Sequence, residues 1–115
     1  MAASKETGAL GCDLEAVQTR SRETWQDLLG AERLALADLV ARESGDAFDV
    51  AATRVWGAIE ALKKAGVALD TALTLATTTP DRWVIFTAGA HRVATYVAQV
   101  QGVAEPVVAT VAMGK

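Results

Sequence analysis

The sequence predicts an all-α protein: an elongated antiparallel helical bundle or coiled-coil hairpin of about three helices, with no sheet. Two runs carry that prediction, each placing an apolar or small residue at every third then fourth position over 29 residues. The first is Phe48, Ala52, Val55, Ile59, Leu62, Gly66, Leu69, Leu73 and Ala76. The second is Trp83, Phe86, Ala90, Val93, Val97, Val100, Ala104, Val107 and Val111. Steps of three and four average about 3.5 residues, so each run draws one seam along a helix. At about 1.5 Å of rise per residue each seam would be about 43 Å long. A compact chain of this size has a radius of gyration of about 13 Å, so the seams imply an elongated molecule.

The elements follow in order. Residues 1–12 are small and polar and are expected to form a flexible lead-in, leaving residues 13–115 as a single all-helical domain. Asp13 is a candidate N-cap for a first helix over about residues 14–43, ending near Ser44-Gly45. Its apolar pattern is the weakest, because Ser21 and Glu32 interrupt it and Gly30 costs helix stability. Ser44 or Asp46 can cap a second helix running to about Thr77, with Glu60 and Lys64 as an i, i+4 ion pair. Gly66 lies on its seam, where a missing side chain lets a second backbone come close. The stop Thr77-Thr78-Thr79-Pro80 is clear, since residues before proline avoid helical angles. Pro80 suits the first turn of a third helix capped by Thr79, and Pro106 should kink that helix near residues 102–106.

Composition bounds the function. The 115 residues carry a formal charge of −3, which opposes a general affinity for nucleic acid. Residues 1–49 hold 10 acidic and 5 basic side chains, whereas residues 80–115 hold only Asp81, Arg82, Arg92, Glu105 and Lys115. The acidic front half suits water. The back third lacks the charges of a solvated helix surface, and its second face carries Val84, Ala88, His91, Thr95, Gln99 and Gly102 flanked by Ile85 and Val103. Some body should therefore cover it. The first helix, another copy of the chain, a membrane or another apolar surface could do so, and a transmembrane span is the weakest of these: Val93–Met113 has Glu105 as its sole charge, but Gln99, Gln101, Gly102, Glu105 and Pro106 sit in its middle. Cys12 is the only cysteine, so no internal disulfide forms, and a cytoplasmic setting is expected.

Catalytic arrangements are missing. His91 is the sole histidine, which excludes the paired Glu-x-x-His motifs of di-iron bundles and leaves zinc without a ligand set. No glycine-rich phosphate loop occurs. The protein is expected not to be an enzyme and to need no cofactor or metal. Trp56 and Trp83 fit core positions, while Trp83 and Phe86 could alternatively anchor the third helix in an apolar interface.

A polar amphipathic first helix, the alanine-rich segment AIEALKKAGVALDTALTLA, the break TTTPDRW and a second long helix after it together resemble the phasins, from which the segment WVIFTAGAHRVATYVAQVQGVAE departs in being richer in Trp and Val. The phasins are small helical proteins that coat polyhydroxyalkanoate granules in bacteria. The resemblance spans roughly residues 25–104 and rests on helix length, alanine content and the proline break. It implies a non-catalytic, granule-associated coat protein. Its contact residues would be Trp83, Phe86, Ala90, Val93, Val97, Val100, Val107 and Val111. The helix–helix seam would be Phe48, Val55, Ile59, Leu62, Gly66, Leu69 and Leu73. The alternative is a cytoplasmic helical oligomerisation or adaptor protein whose stripes bind copies of itself or a partner protein.

Overall fold

Alternation by two, not by three and four, governs the last third of the chain. Residues 83–113 are dense in Val, Ile and Thr, whose branched Cβ atoms suit a pleated surface. Three strands form there in the computed structural model: β3 (Trp83–Ala88), β4 (His91–Ala98) and β5 (Val107–Met113). Together with β1 (Leu10–Ala16) and β2 (Thr74–Thr78) they make one antiparallel sheet in the order β1-β5-β4-β3-β2. Three helices precede β2: α1 (Arg22–Leu29), α2 (Ala31–Ser44) and α3 (Phe48–Lys64). The structure describes residues 10–68 and 70–114. Leu69, Lys115 and residues 1–9 of the expected lead-in lie outside the described residues.

The all-α, coiled-coil expectation is thus overturned. Residues 13–115 are not an all-helical domain, and Leu10, Gly11 and Cys12 of the supposed lead-in belong to β1. Nor is the molecule a rod: its radius of gyration is 13.6 Å and its extents are 40 × 34 × 25 Å. The second seam was a coincidence of a Val/Ala-rich segment. Its members Trp83 and Phe86 point to opposite faces of one strand, as an odd step of three must in a period of two. The first seam is real as far as Leu62, where α3 buries Ala52, Val55 and Ile59. Beyond it, Gly66 sits in a turn at φ 83, and Leu73 leads into β2.

Local chemistry explains the boundaries. Ser21, read as an interruption, is the N-cap of α1 and accepts from the Thr24 amide at 3.1 Å. Gly30, at φ 83, splits the expected first helix into α1 and α2. The end at Ser44-Gly45 stands as expected. Pro80 opens no helix: it lies in the Thr79–Arg82 turn joining β2 to β3, closed by Arg82 N–H to Thr79 O at 3.1 Å. A two-residue connection joins β3 to β4, with Gly89 first at φ 59, the glycine-first pattern of a type II′ hairpin. Pro106 kinks nothing either; it precedes β5, and its carbonyl accepts the Val17 amide at 2.9 Å.

The helices cover one face of the sheet. α3 lies on it through Ala51, Val55, Ala58 and Leu62, meeting Val84, Phe86, Val93 and Ala112 from below. Trp25, Leu29, Leu34, Ala37 and Val40 of α1 and α2 complete this core. The Trp25 indole N–H donates to Asp49 at 2.8 Å, which satisfies its one polar atom.

Candidate interaction surface

Among the described residues, helices occupy one side of the sheet, and the register fixes which side chains the other side carries. One outward row crosses the strands as Cys12, Val111, Ala94 and Ile85. The next is Leu14, Ala109, Tyr96 and Trp83, and a third is Ala16, Val107 and Ala98. The fourth, at the opposite end, is Leu10, Met113, Arg92 and Thr87. Arg92 is the only charged side chain in the four rows. A one-sided antiparallel sheet ordinarily turns polar residues outward; this one does so at Arg92, Thr87 and the β2 positions Thr74 and Thr77, and is mainly apolar across β1, β5 and β4. Leu14 is 70% exposed, Leu10 54% and Met113 45%. The Trp83 and Tyr96 rings meet at 4.9 Å with a 44° tilt, making an aromatic platform at one corner.

The sequence-derived contact residues divide between the two faces. Trp83, Val107 and Val111 lie on the open face, while Phe86, Val93 and Val97 are buried beneath the helices. Ala90 sits in the β3–β4 turn, and Val100 is exposed in the β4–β5 connection. The seam residues Val55, Ile59 and Leu62 are core, with Phe48 and Leu73 packed beside it. Leu10, Leu14, Ile85, Tyr96 and Met113 were missed. Steps of two from Trp83 reach Ile85, but the two-residue turn at Gly89-Ala90 shifts the parity, so Tyr96 falls on the same face only once that turn is recognised.

Under α3 the sheet carries a polar row, Asp13, Thr110, Thr95, Val84 and Thr78. Two charged sites stand on it. At one, Arg54 is wholly buried. Its Nε donates to Asp46 at 2.7 Å, Nη1 to the Thr95 carbonyl at 2.9 Å, and Nη2 to the Arg82 carbonyl at 3.0 Å. Burial lowers the Arg54 pKa, and Asp46 opposes that shift. Arg82 itself holds φ 76, a left-handed conformation rare outside glycine, and its carbonyl is fixed there by Arg54. A cleft of about 360 Å³ opens beside this network, lined in part by Glu43, Asp46, Thr79 and Trp83. The guanidinium at its base is already committed to protein acceptors.

At the other site Lys64 Nζ donates to Asp13 at 3.0 Å. The expected Glu60–Lys64 pair is replaced by Glu60–Lys63 at 3.4 Å. Burial, and then the neighbouring Asp13, pushes the Glu15 carboxyl up to about 7; Glu60 adds to the rise and Lys64 opposes it. Asp13 Oδ2 and Thr110 Oγ1 are buried without a hydrogen-bond partner among the described residues. Gly57 and Gly11 let α3 sit this low. A Cβ on Gly11 would come within 1.9 Å of the Ala61 carbonyl oxygen, and one on Gly57 within 2.7 Å of Thr110 Oγ1.

Among the described residues no group of three or more His, Cys, Asp and Glu gathers to hold a metal ion. Cys12 lies in an outward row and His91 at a helix-facing register position, so the two do not form a nucleophile pair. No helix among the described residues is long and apolar enough to cross a membrane. The fold and surface define an α+β domain with a half-covered sheet. No family model, curated protein or solved structure matches the chain.

Proposed function

We propose that this chain is a non-catalytic interaction module that works through the open face of its sheet, by burying that face against a protein surface. The observation that carries this reading is the row Leu14, Ala109, Tyr96 and Trp83, apolar or aromatic from β1 across to β3 on the side away from the helices. Contiguous apolar patches on a monomer's surface are often functional. Of the expectations raised by the sequence, an apolar contact surface is kept, but its carrier is a pleated face and not a helical stripe.

A charge scan of exposed positions tests the reading, read by rescue of a deletion strain with cellular abundance followed in parallel. Arginine or glutamate at Leu14, Ala94 and Ala109 should abolish rescue while leaving abundance unchanged. Loss concentrated around His91 or the cleft beside Arg54 would instead point to a small-molecule site and reject the module. A fluorescent fusion that lights polyhydroxyalkanoate granules, and loses them on Ala94→Arg, would replace the protein partner by a polymer surface.

A further inference from the structure

We infer that the outer edge of β1 binds an extended peptide as a further strand, one whose side chains alternate between apolar and basic. The inference concerns the edge of the sheet and stands apart from the reading of its open face. The Val17 N–H donates to Pro106 O at 2.9 Å, one step beyond the Ala16–Val107 pair. Hydrogen-bonded and non-bonded pairs alternate along an antiparallel ladder, so Gly11, Asp13 and Glu15 are the residues that bond β5. The N–H and C=O groups of Leu10, Cys12, Leu14 and Ala16 therefore face away from the sheet, and no backbone group among the described residues meets them.

The two edges of the sheet differ. β2 is five residues long, rich in threonine, and breaks register between Leu75 and Thr77; short, irregular edges resist pairing. β1 runs seven residues in unbroken register, with neither proline nor lysine. A strand laid along it sets every second side chain on the open face beside Leu10 and Leu14, which are exposed. Apolar residues suit those positions.

The one guard that β1 does carry decides the rest of the partner's chemistry. Asp13 and Glu15 lie on the helix-facing side, and inward charges on an edge turn away strands that bring nothing to pair with them. Lys64 is committed to Asp13 at 3.0 Å and Lys63 to Glu60 at 3.4 Å, which leaves Glu15 without an ion pair among the described residues. Burial, and then Asp13, push its carboxyl up to about 7. A cation arriving beside it favours the charged form. Lys or Arg at alternate positions of the incoming strand supplies that cation. A second copy of β1 would instead set carboxylates against carboxylates, which disfavours self-pairing.

Fluorescence polarisation of the full chain with a short labelled peptide alternating Val and Lys measures the binding at physiological salt. Three peptides of the same length serve as comparisons: alternating Val and Glu, alternating Gly and Lys, and the Val/Lys peptide with its amides N-methylated. The Val/Lys peptide should bind at least about tenfold tighter than each, since only it offers both the amide donors and the matching charge on a strand-forming backbone. Glu15→Gln should narrow its advantage over the Val/Glu peptide by about threefold. Bound peptide should slow amide hydrogen exchange at Cys12 and Leu14 and leave Thr74–Thr78 unchanged. Any comparison peptide binding as tightly as Val/Lys overturns the inference. So does protection that falls on β2 instead, or the absence of saturable binding.

Discussion

Replacing Arg54 by alanine should cost more stability than any other single truncation of a polar side chain in the described part of this protein. The guanidinium is wholly buried and ties α3 to three places: Asp46 before the helix, Thr95 in the middle of the sheet, and Arg82 in the β2–β3 turn. Asp46 is only 7% exposed, so removing its partner leaves a carboxylate in a poorly hydrated site. Breaking a buried pair in this way costs about 3–5 kcal/mol. Two carbonyls would lose donors as well, at about 1–3 kcal/mol each if water cannot reach them. These losses share one cavity and do not add fully, so we expect a net loss of about 4 kcal/mol. A domain of this size has about 5–15 kcal/mol in total, and its melting temperature should fall by roughly 15 °C.

Urea unfolding followed by circular dichroism, at fixed protein concentration, measures the loss. The double variant Arg54→Met with Asp46→Leu should recover about 2 kcal/mol of it, because no lone charge then stays buried. A single-variant loss below about 1 kcal/mol would refute the account. So would strictly additive losses in the cycle, which would mean that Arg54 and Asp46 do not depend on each other.

Three further outcomes follow from the same geometry. The Glu15 carboxyl, raised from 4.5 to about 7 in the folded protein, contributes stability that is complete below pH 4.5 and is lost as pH rises through 7. Glu15→Gln should therefore be about 1 kcal/mol more stable than the parent at pH 8 and equal to it near pH 4 in matched urea titrations. The figure is well below the full linkage value because Glu15 keeps solvent contact. Gly11→Ala should lose about 3 kcal/mol by the same assay, as its Cβ would force β1 off the backbone of α3. Arg82→Gly should gain about 1 kcal/mol by relieving the left-handed backbone at φ 76; a clear loss would show that the long pair with Asp46, at 3.9 Å, matters more.

Sequence patterning revealed α3 because that helix obeys the simple rule. Val55, Ile59 and Leu62 face the core, while Lys63 and Lys64 face water. The strands were hidden for an informative reason. A strand with one wet face alternates apolar with polar, and β3 does not: Val84 and Phe86 point inward, yet Trp83 and Ile85 point outward. With both faces apolar, the period of two vanishes from the hydropathy pattern, and any three-four spacing can be found in what is left. The quality that concealed the sheet is the quality that makes its outer face a candidate surface. Gly89 between two Val/Thr-rich runs was the legible clue to the hairpin. Arg54 gave no sign of its role, because a single arginine in a helix reads as a solvent residue until the acceptors 28 and 41 positions away are brought to it.

The position of β5 has a consequence for how the protein is made. It inserts between β1 and β4, so Cys12 pairs with Val111 across nearly the whole chain. During vectorial synthesis on the ribosome, β1 emerges early and must wait without a neighbour until β5 clears the exit tunnel. The nascent α-helices can form before then, but the sheet cannot close around them. Closing the sheet is therefore a late step of folding, and β1 is the segment that a chaperone would shield until β5 arrives.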